Sequence, residues 1–173
     1  MFQLSGRTAL ITGASGGIGS AIAKNLSQQG AHVILHGTRA GRLEELASEI
    51  GTNVSVVTAN LSDREAVGGM VSEAAKATGA IDILVNNAGF SDHPTIEKTS
   101  PADWAHDVNG NLNGAYNCVH VVLPGMKKKG KAAIVTVGSV NGLSALGDPA
   151  YSAAKAALIS MTKAIAMENG RYG

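Results

Sequence analysis

Five short runs of mostly apolar residues recur along the chain, and each is followed by a longer stretch of helical periodicity. The runs are RTALIT (7–12), AHVILHG (31–37), NVSVVTAN (53–60), IDILVNN (81–87) and AAIVTVGS (132–139). A strand with one wet face alternates apolar and polar residues, and these do not. Runs of this kind belong to a parallel sheet covered on both faces, whose strands are joined by crossover helices. Strand and helix in strict alternation give a doubly wound α/β architecture. This pattern constrains the chain more than any other feature does.

The intervening stretches supply the helices. Over 18–29, Ile18, Ile22 and Leu26 fall on one face; over 42–50, Leu43, Leu46, Ala47 and Ile50 do. A third helix spans 63–77, with Ser62 or Asp63 as its cap. SPADW opens a long fourth helix, with Ser100 capping and Pro101 in the first helical position. The last helix runs over 149–169. No linker, repeat or low-complexity segment interrupts the 173 residues, which read as a single domain over 1–173.

Composition narrows the function. With 45% hydrophobic and 16% charged residues the chain buries a core rather than staying disordered. A net charge of +1 gives no electrostatic reason to bind nucleic acid or an anionic membrane. No apolar run reaches the ~18 residues of a transmembrane helix, and MFQLSGRTALITG lacks the regions of a signal peptide. Cys118 is the one cysteine, so no intrachain disulfide forms; its apolar helical setting reads as a buried structural thiol. A reducing, cytoplasmic location is expected.

TGASGGIG (12–19) joins the first strand to the first helix. Gly13, Gly17 and Gly19 allow a tight turn and a close approach to a pyrophosphate. The following helix N-terminus offers free N–H groups and a positive dipole end, and Ser15 adds a hydroxyl. The spacing G-x-x-x-G-x-G differs from G-x-G-x-x-G. YSAAK (151–155) then places Tyr151 and Lys155 one helical turn apart. Alone, that stretch reads as a turn of ordinary helix.

Taken together, TGASGGIG, NNAG (86–89), Gly138-Ser139 at the end of the fifth strand, and YSAAK twelve residues on resemble the short-chain dehydrogenase/reductase family. The resemblance implies a Rossmann-type fold and a catalytic set of Ser139, Tyr151, Lys155 and an asparagine of the long helix. In DWAHDVNGNLNGAY that asparagine is Asn111, from its Leu neighbour and its distance from Trp104, with Asn109 and Asn113 as alternatives. It implies cofactor contacts from Gly13, Ser15, Gly17, Ile18, Gly19, Thr38, Arg39, Asn60, Leu61, Asn87, Ala88 and Gly89, besides Tyr151 and Lys155. The N-terminal half is similar to bacterial 3-oxoacyl-[acyl-carrier-protein] reductases.

The residue types suit this chemistry. A ketone accepting hydride needs a proton at oxygen. A free Tyr, with a pKa of about 10, must be tuned to give one, and a Lys ammonium one turn away favours the phenolate. Ser139 would hydrogen-bond the carbonyl and stabilise the developing oxyanion. In the family, the counterpart of Asn111 holds a water linking Lys to solvent.

After the second strand, LHGTRAGR carries no carboxylate to hold a ribose 2′-hydroxyl. Thr38 and Arg39 suit a 2′-phosphate, so NADP(H) is expected over NAD(H).

Four expectations complete the reading. The five histidines show no metal-site spacing and read as surface or hydrogen-bond-satisfied side chains, with His93 on the active-site side. MKKKGK (126–131) reads as a solvated helix end, and Lys127 to Lys131 could meet an acidic acyl carrier protein. The resemblance also implies a homo-oligomer. Finally, family members continue beyond AMENGRYG (166–173) with two further strands and a substrate-covering loop. The 173 residues are therefore expected to be a truncated product or part of a longer chain, the alternative to an active enzyme being a cofactor-binding fragment without activity. The fifth strand would then form an exposed apolar edge.

Overall fold

The computed structural model describes residues 3–92, 95–144 and 146–173. Strands β1 (Thr8–Ile11), β2 (His32–His36), β3 (Val54–Val57), β4 (Ile83–Asn86) and β5 (Ala133–Thr136) form one parallel sheet in the order β3-β2-β1-β4-β5. At the centre, Leu10 lies beside Ile34 on one side and Leu84 on the other. The order reverses between β1 and β4. Chain entering β2 and β3 moves one way from β1, while chain entering β4 and β5 moves the other. That reversal leaves a crevice beyond the C-terminal ends of the strands.

Helices α1 (Gly17–Gln28) and α2 (Ala40–Ile50) cover one face, burying Ala9, Ile11, Val33, Leu35 and Val85. Helices α3 (Arg64–Thr78) and α5 (Gly114–Lys129) cover the other, burying Leu10, Ile34 and Leu84. Cover on both faces explains why β1, β2 and β4 show no alternation. At β5, expected to be an exposed apolar edge, that cover is incomplete. There Ile134 joins the α3–α5 side, but Val135 points the opposite way and is 51% exposed. Among the described residues β5 is an edge strand, and no helix covers that side of it.

Asp63 settles the cap of α3: its Oδ1 accepts from the N–H groups of Glu65 and Ala66, at 2.9 and 3.2 Å. Ser100 and Asp103 form a reciprocal capping box at the start of α4 (Pro101–Val108). The expected long helix is not uniform. Between α4 and α5 lies one π-helical turn, Asn109–Asn113. The Asn111 side-chain amide donates to the Asp107 carbonyl four residues back, at 2.9 Å, where a regular helix would bring a backbone N–H. The last helix, α6 (Pro149–Asn169), starts at Asp148, whose φ of 47° lies in the left-handed region.

At the opposite pole from the crevice, Asp82 enters β4 with 1% of its surface exposed. It accepts from Arg7 Nη1 and Thr8 N–H, each at 2.9 Å, and pairs with Lys129 at the end of α5. Burial pushes the carboxyl pKa up, but Lys129, Thr8 and Arg7 outweigh it and hold it below its ordinary value. Lys127 lies over the Tyr172 ring, 4.8 Å from its centroid. Lys127 and Lys129 are thus engaged at the end of the sheet far from the crevice. Cys118 is buried between the sheet and α3, and burial pushes its thiol up to about 12.

Candidate functional site

The crevice beyond β1–β4 is a cleft of about 580 Å³. Its first wall is the glycine turn. Gly13 has φ +66°, and a Cβ there would lie 2.8 Å from Ala88 Cα. A Cβ on Gly19 would lie 2.3 Å from the Gly13 carbonyl oxygen. These two glycines are demanded by the turn itself. Gly17 differs, because a Cβ there would meet nothing within 4 Å. It borders the cleft, so a side chain would fill space that a ligand would use. Helix α1 has no side-chain cap and no acidic residue in its first turn. Its N-terminal N–H groups are therefore available to an anion.

The second wall comes from the ends of β2 and β3. Gly37, Thr38 and Arg39 line it, together with Ala59, Asn60 and Leu61. Arg39 Nη2 donates to the Ser15 carbonyl at 2.9 Å and to Ser15 Oγ at 3.3 Å. The guanidinium thus closes against the glycine turn across the mouth of the cleft. The floor is Asn87, Ala88 and Gly89 after β4. Asn87 Nδ2 donates to the carbonyls of Thr12 and Gly13, and Thr12 Oγ1 accepts from the N–H groups of Asn87 and Ala88. All twelve residues expected to contact cofactor before the last helix line this one cleft, exposed Ile18 included.

The remaining four sit beside it. Asn111 is buried; its amide bonds the backbone of Phe90 in both directions, at 3.1 and 2.9 Å. A Cβ on Gly89 would lie 2.8 Å from Asn111 Oδ1 and 3.4 Å from Lys155 Nζ. The floor of the cleft therefore runs directly into the Asn111–Lys155 pair, and Asn109 and Asn113 instead bond each other at the surface. Lys155 is 3% exposed and donates to the Val137 carbonyl at 3.0 Å; burial pushes its ammonium below the ordinary 10.5. Its Nζ stands 5.5 Å from the centre of the Tyr151 ring. Ser139 accepts from the Asn141 N–H at 3.2 Å and opens a 3₁₀ turn, Val140–Gly142. That turn rests on α6: a Cβ on Gly142 would lie 2.8 Å from the Lys155 carbonyl carbon.

Two residues of the site were given no functional role from sequence. Asp148 accepts from the Tyr151 N–H through Oδ1 and from Ser91 Oγ through Oδ2. It fixes the start of the Tyr151 helix to the loop after β4. The Asp-Pro pair before YSAAK is a helix-start signal that could have found it. The other is His36, expected to be satisfied or at the surface. It is buried, with Nε2 on the Ala59 carbonyl and Nδ1 without a partner among the described residues. His93 lies outside the described residues.

The family model for short chain dehydrogenase matches residues 7–173. The chain belongs to the short-chain dehydrogenase/reductase family. It is 42% identical over 171 residues to nodulation protein G of Rhizobium sp. (strain N33), covering 97% of this chain and 69% of that protein. It is 39% identical over 172 residues to a 3-oxoacyl-[acyl-carrier-protein] reductase of Vibrio harveyi, covering 99% and 70%. The solved structure of a short chain dehydrogenase/reductase family oxidoreductase from Burkholderia thailandensis superposes with a TM-score of 0.89 at 41% identity. It matches 96% of this chain, which spans 65% of that one. Short-chain dehydrogenase/reductases are oxidoreductases that bind a nicotinamide dinucleotide. The cleft fits such a group: the open side of Gly17 and the uncapped α1 N-terminus make a cradle for a pyrophosphate.

Proposed function

We propose that the chain is an NADP(H)-dependent oxidoreductase interconverting a ketone and a secondary alcohol, with 3-oxoacyl thioesters as the leading substrate class. The observation that carries the proposal is Gly89, where the floor of the dinucleotide cleft meets Asn111 and Lys155 at contact distance. Arg39 supports the 2′-phosphate, because its guanidinium sits at the cleft mouth beside Ser15 with no carboxylate on that wall. The thioester class comes from the Vibrio harveyi relative, whose name describes that chemistry.

The bound nicotinamide supplies or accepts the hydride. The chain's own residues handle the oxygen. Tyr151 gives its phenolic proton to the carbonyl oxygen in the reducing direction and takes it back in the other. Lys155, held by Val137 O within reach of the Tyr151 ring, offsets the negative charge left on the phenolate. Ser139 accepts from the Asn141 N–H, which leaves its own hydroxyl proton to donate to the same substrate oxygen. Asn111 holds the Phe90 backbone against the cluster and keeps the cleft floor in register with Lys155.

A second reading is dinucleotide binding without turnover. It is favoured by the fact that Ser139, Tyr151 and Lys155 stand beside the cleft rather than in its lining. One experiment separates the two. NADPH raises the melting temperature of the chain more than NADH does, since a ligand binding only the native state stabilises it. NADPH oxidation is then followed with acetoacetyl thioesters. Tyr151→Phe lowers kcat by roughly 10²–10⁴, while NADPH still raises the melting temperature of the variant. Turnover that survives Tyr151→Phe rejects the acid role. A melting shift without turnover in the wild type selects the second reading.

A further inference from the structure

His36 ends β2 and is 2% exposed. Its backbone carbonyl accepts from the Ala14 N–H of the glycine turn at 2.8 Å. Its ring Nε2 lies 3.0 Å from the Ala59 carbonyl oxygen. A carbonyl only accepts, so Nε2 carries the proton and Nδ1 is a bare lone pair. Nδ1 is buried and has no partner among the described residues. An apolar side chain would fill this place without an orphaned acceptor, so packing alone gives no reason for a histidine here. What the ring adds is its one hydrogen bond.

That bond falls where the sheet gives out. The β2–β3 register ends at His36 opposite Val57, and residues 59–61 continue beyond it as irregular backbone. Segment 59–61 lines the cleft. It is also held from the α5 side, where Asn117 Nδ2 donates to the Leu61 carbonyl at 2.8 Å. The His36 ring supplies the tie on the β2 side. One residue therefore joins two facing walls, the glycine turn through its backbone and segment 59–61 through its ring. The opposite end of the cleft, at Gly89, has its own support from Asn111.

We propose that His36 is a positioning residue for the adenosine half of the dinucleotide, fixing segment 59–61 at a set distance from the glycine turn. This rests on the dinucleotide reading above. The test is calorimetric titration of the 173-residue chain with NADPH and with 2′,5′-ADP, which carries the adenosine half alone, beside ligand-free melts. His36→Leu removes the bond and weakens both ligands by the same factor, about tenfold. His36→Gln restores an N–H near the position of Nε2 and recovers most of the affinity. His36→Asn keeps an amide too short to reach the Ala59 carbonyl and behaves like leucine.

Wild-type affinity in the leucine and asparagine variants overturns the proposal. So does a loss seen for NADPH and not for 2′,5′-ADP, or a glutamine variant that melts like wild type yet binds no better than asparagine. If leucine prevents folding, the comparison of glutamine with asparagine decides. A wild-type chain that binds neither of these ligands nor NADH defeats the dinucleotide reading itself, and this inference with it.

Discussion

Glycines of one motif answer to different forces. Gly13 and Gly19 are fixed by the fold, because a methyl at either would strike backbone. Gly17 has open space on its Cβ side, so the need for glycine there comes from outside the chain. Gly19→Ala therefore costs about 1–3 kcal/mol of stability by overpacking. Gly17→Ala leaves the ligand-free melt unchanged and raises the dissociation constant for NADPH about tenfold, the effect of ~1.4 kcal/mol. Paired melts and titrations of the two variants check this, and equal melting losses would reject it. Both glycines were legible as a phosphate turn, since spacing between an apolar run and a helix is a local property. Their separate reasons were not, because Ala88 and Asn87 approach from the segment after β4, far along the chain. His36 shows the same limit. HVILH reads as a strand whichever way its last ring points, and the partner at Ala59 exists only once β2 and β3 pair.

Among elements, the long fourth helix shows how a local pattern can be right and incomplete. Ser100 and Pro101 mark its start correctly. The π turn at Asn109–Asn113 follows from Asn111 competing for the Asp107 carbonyl and bonding Phe90, which no helical periodicity encodes. The opposite pole depends on a comparable long-range tie, Asp82 with Arg7, Thr8 and Lys129. Because the folded carboxyl pKa lies below its ordinary value, the unfolded chain binds the proton more readily. The contribution is fully present above the unfolded value of 3.8 and is lost as pH falls through the lower folded value. Asp82→Asn is expected to lower stability by about 2 kcal/mol at pH 7. Denaturant melts of the two proteins converge as the pH drops below 3.8, and a gap constant with pH would count against the tie.

For the whole molecule, the outer sheet edge is the vulnerable place. Val135 on β5 is half exposed, and no strand pairs with the far edge of β5 among the described residues. A flat apolar edge offers unpaired backbone groups to other chains. The 173-residue chain is expected to self-associate as its concentration rises. Val135→Lys reduces light scattering while leaving the NADPH-induced melting shift intact, since the cleft lies on the other strands. Scattering unchanged by the lysine would place the association surface elsewhere.

By itself the sequence determined the alternation of strands and helices, the parallel sheet and the residues of the phosphate turn. Each is written in periods of a few residues and in backbone needs that neighbours along the chain impose. Tertiary structure alone decided which groups meet. It set Gly89 against Asn111 and Lys155, brought Arg39 onto Ser15, set the His36 ring on the Ala59 carbonyl, and carried Lys129 to the pole away from the cleft. Those contacts join residues far apart in the chain. Their distances are set by how helices seat on a twisted sheet, not by any pattern within one segment.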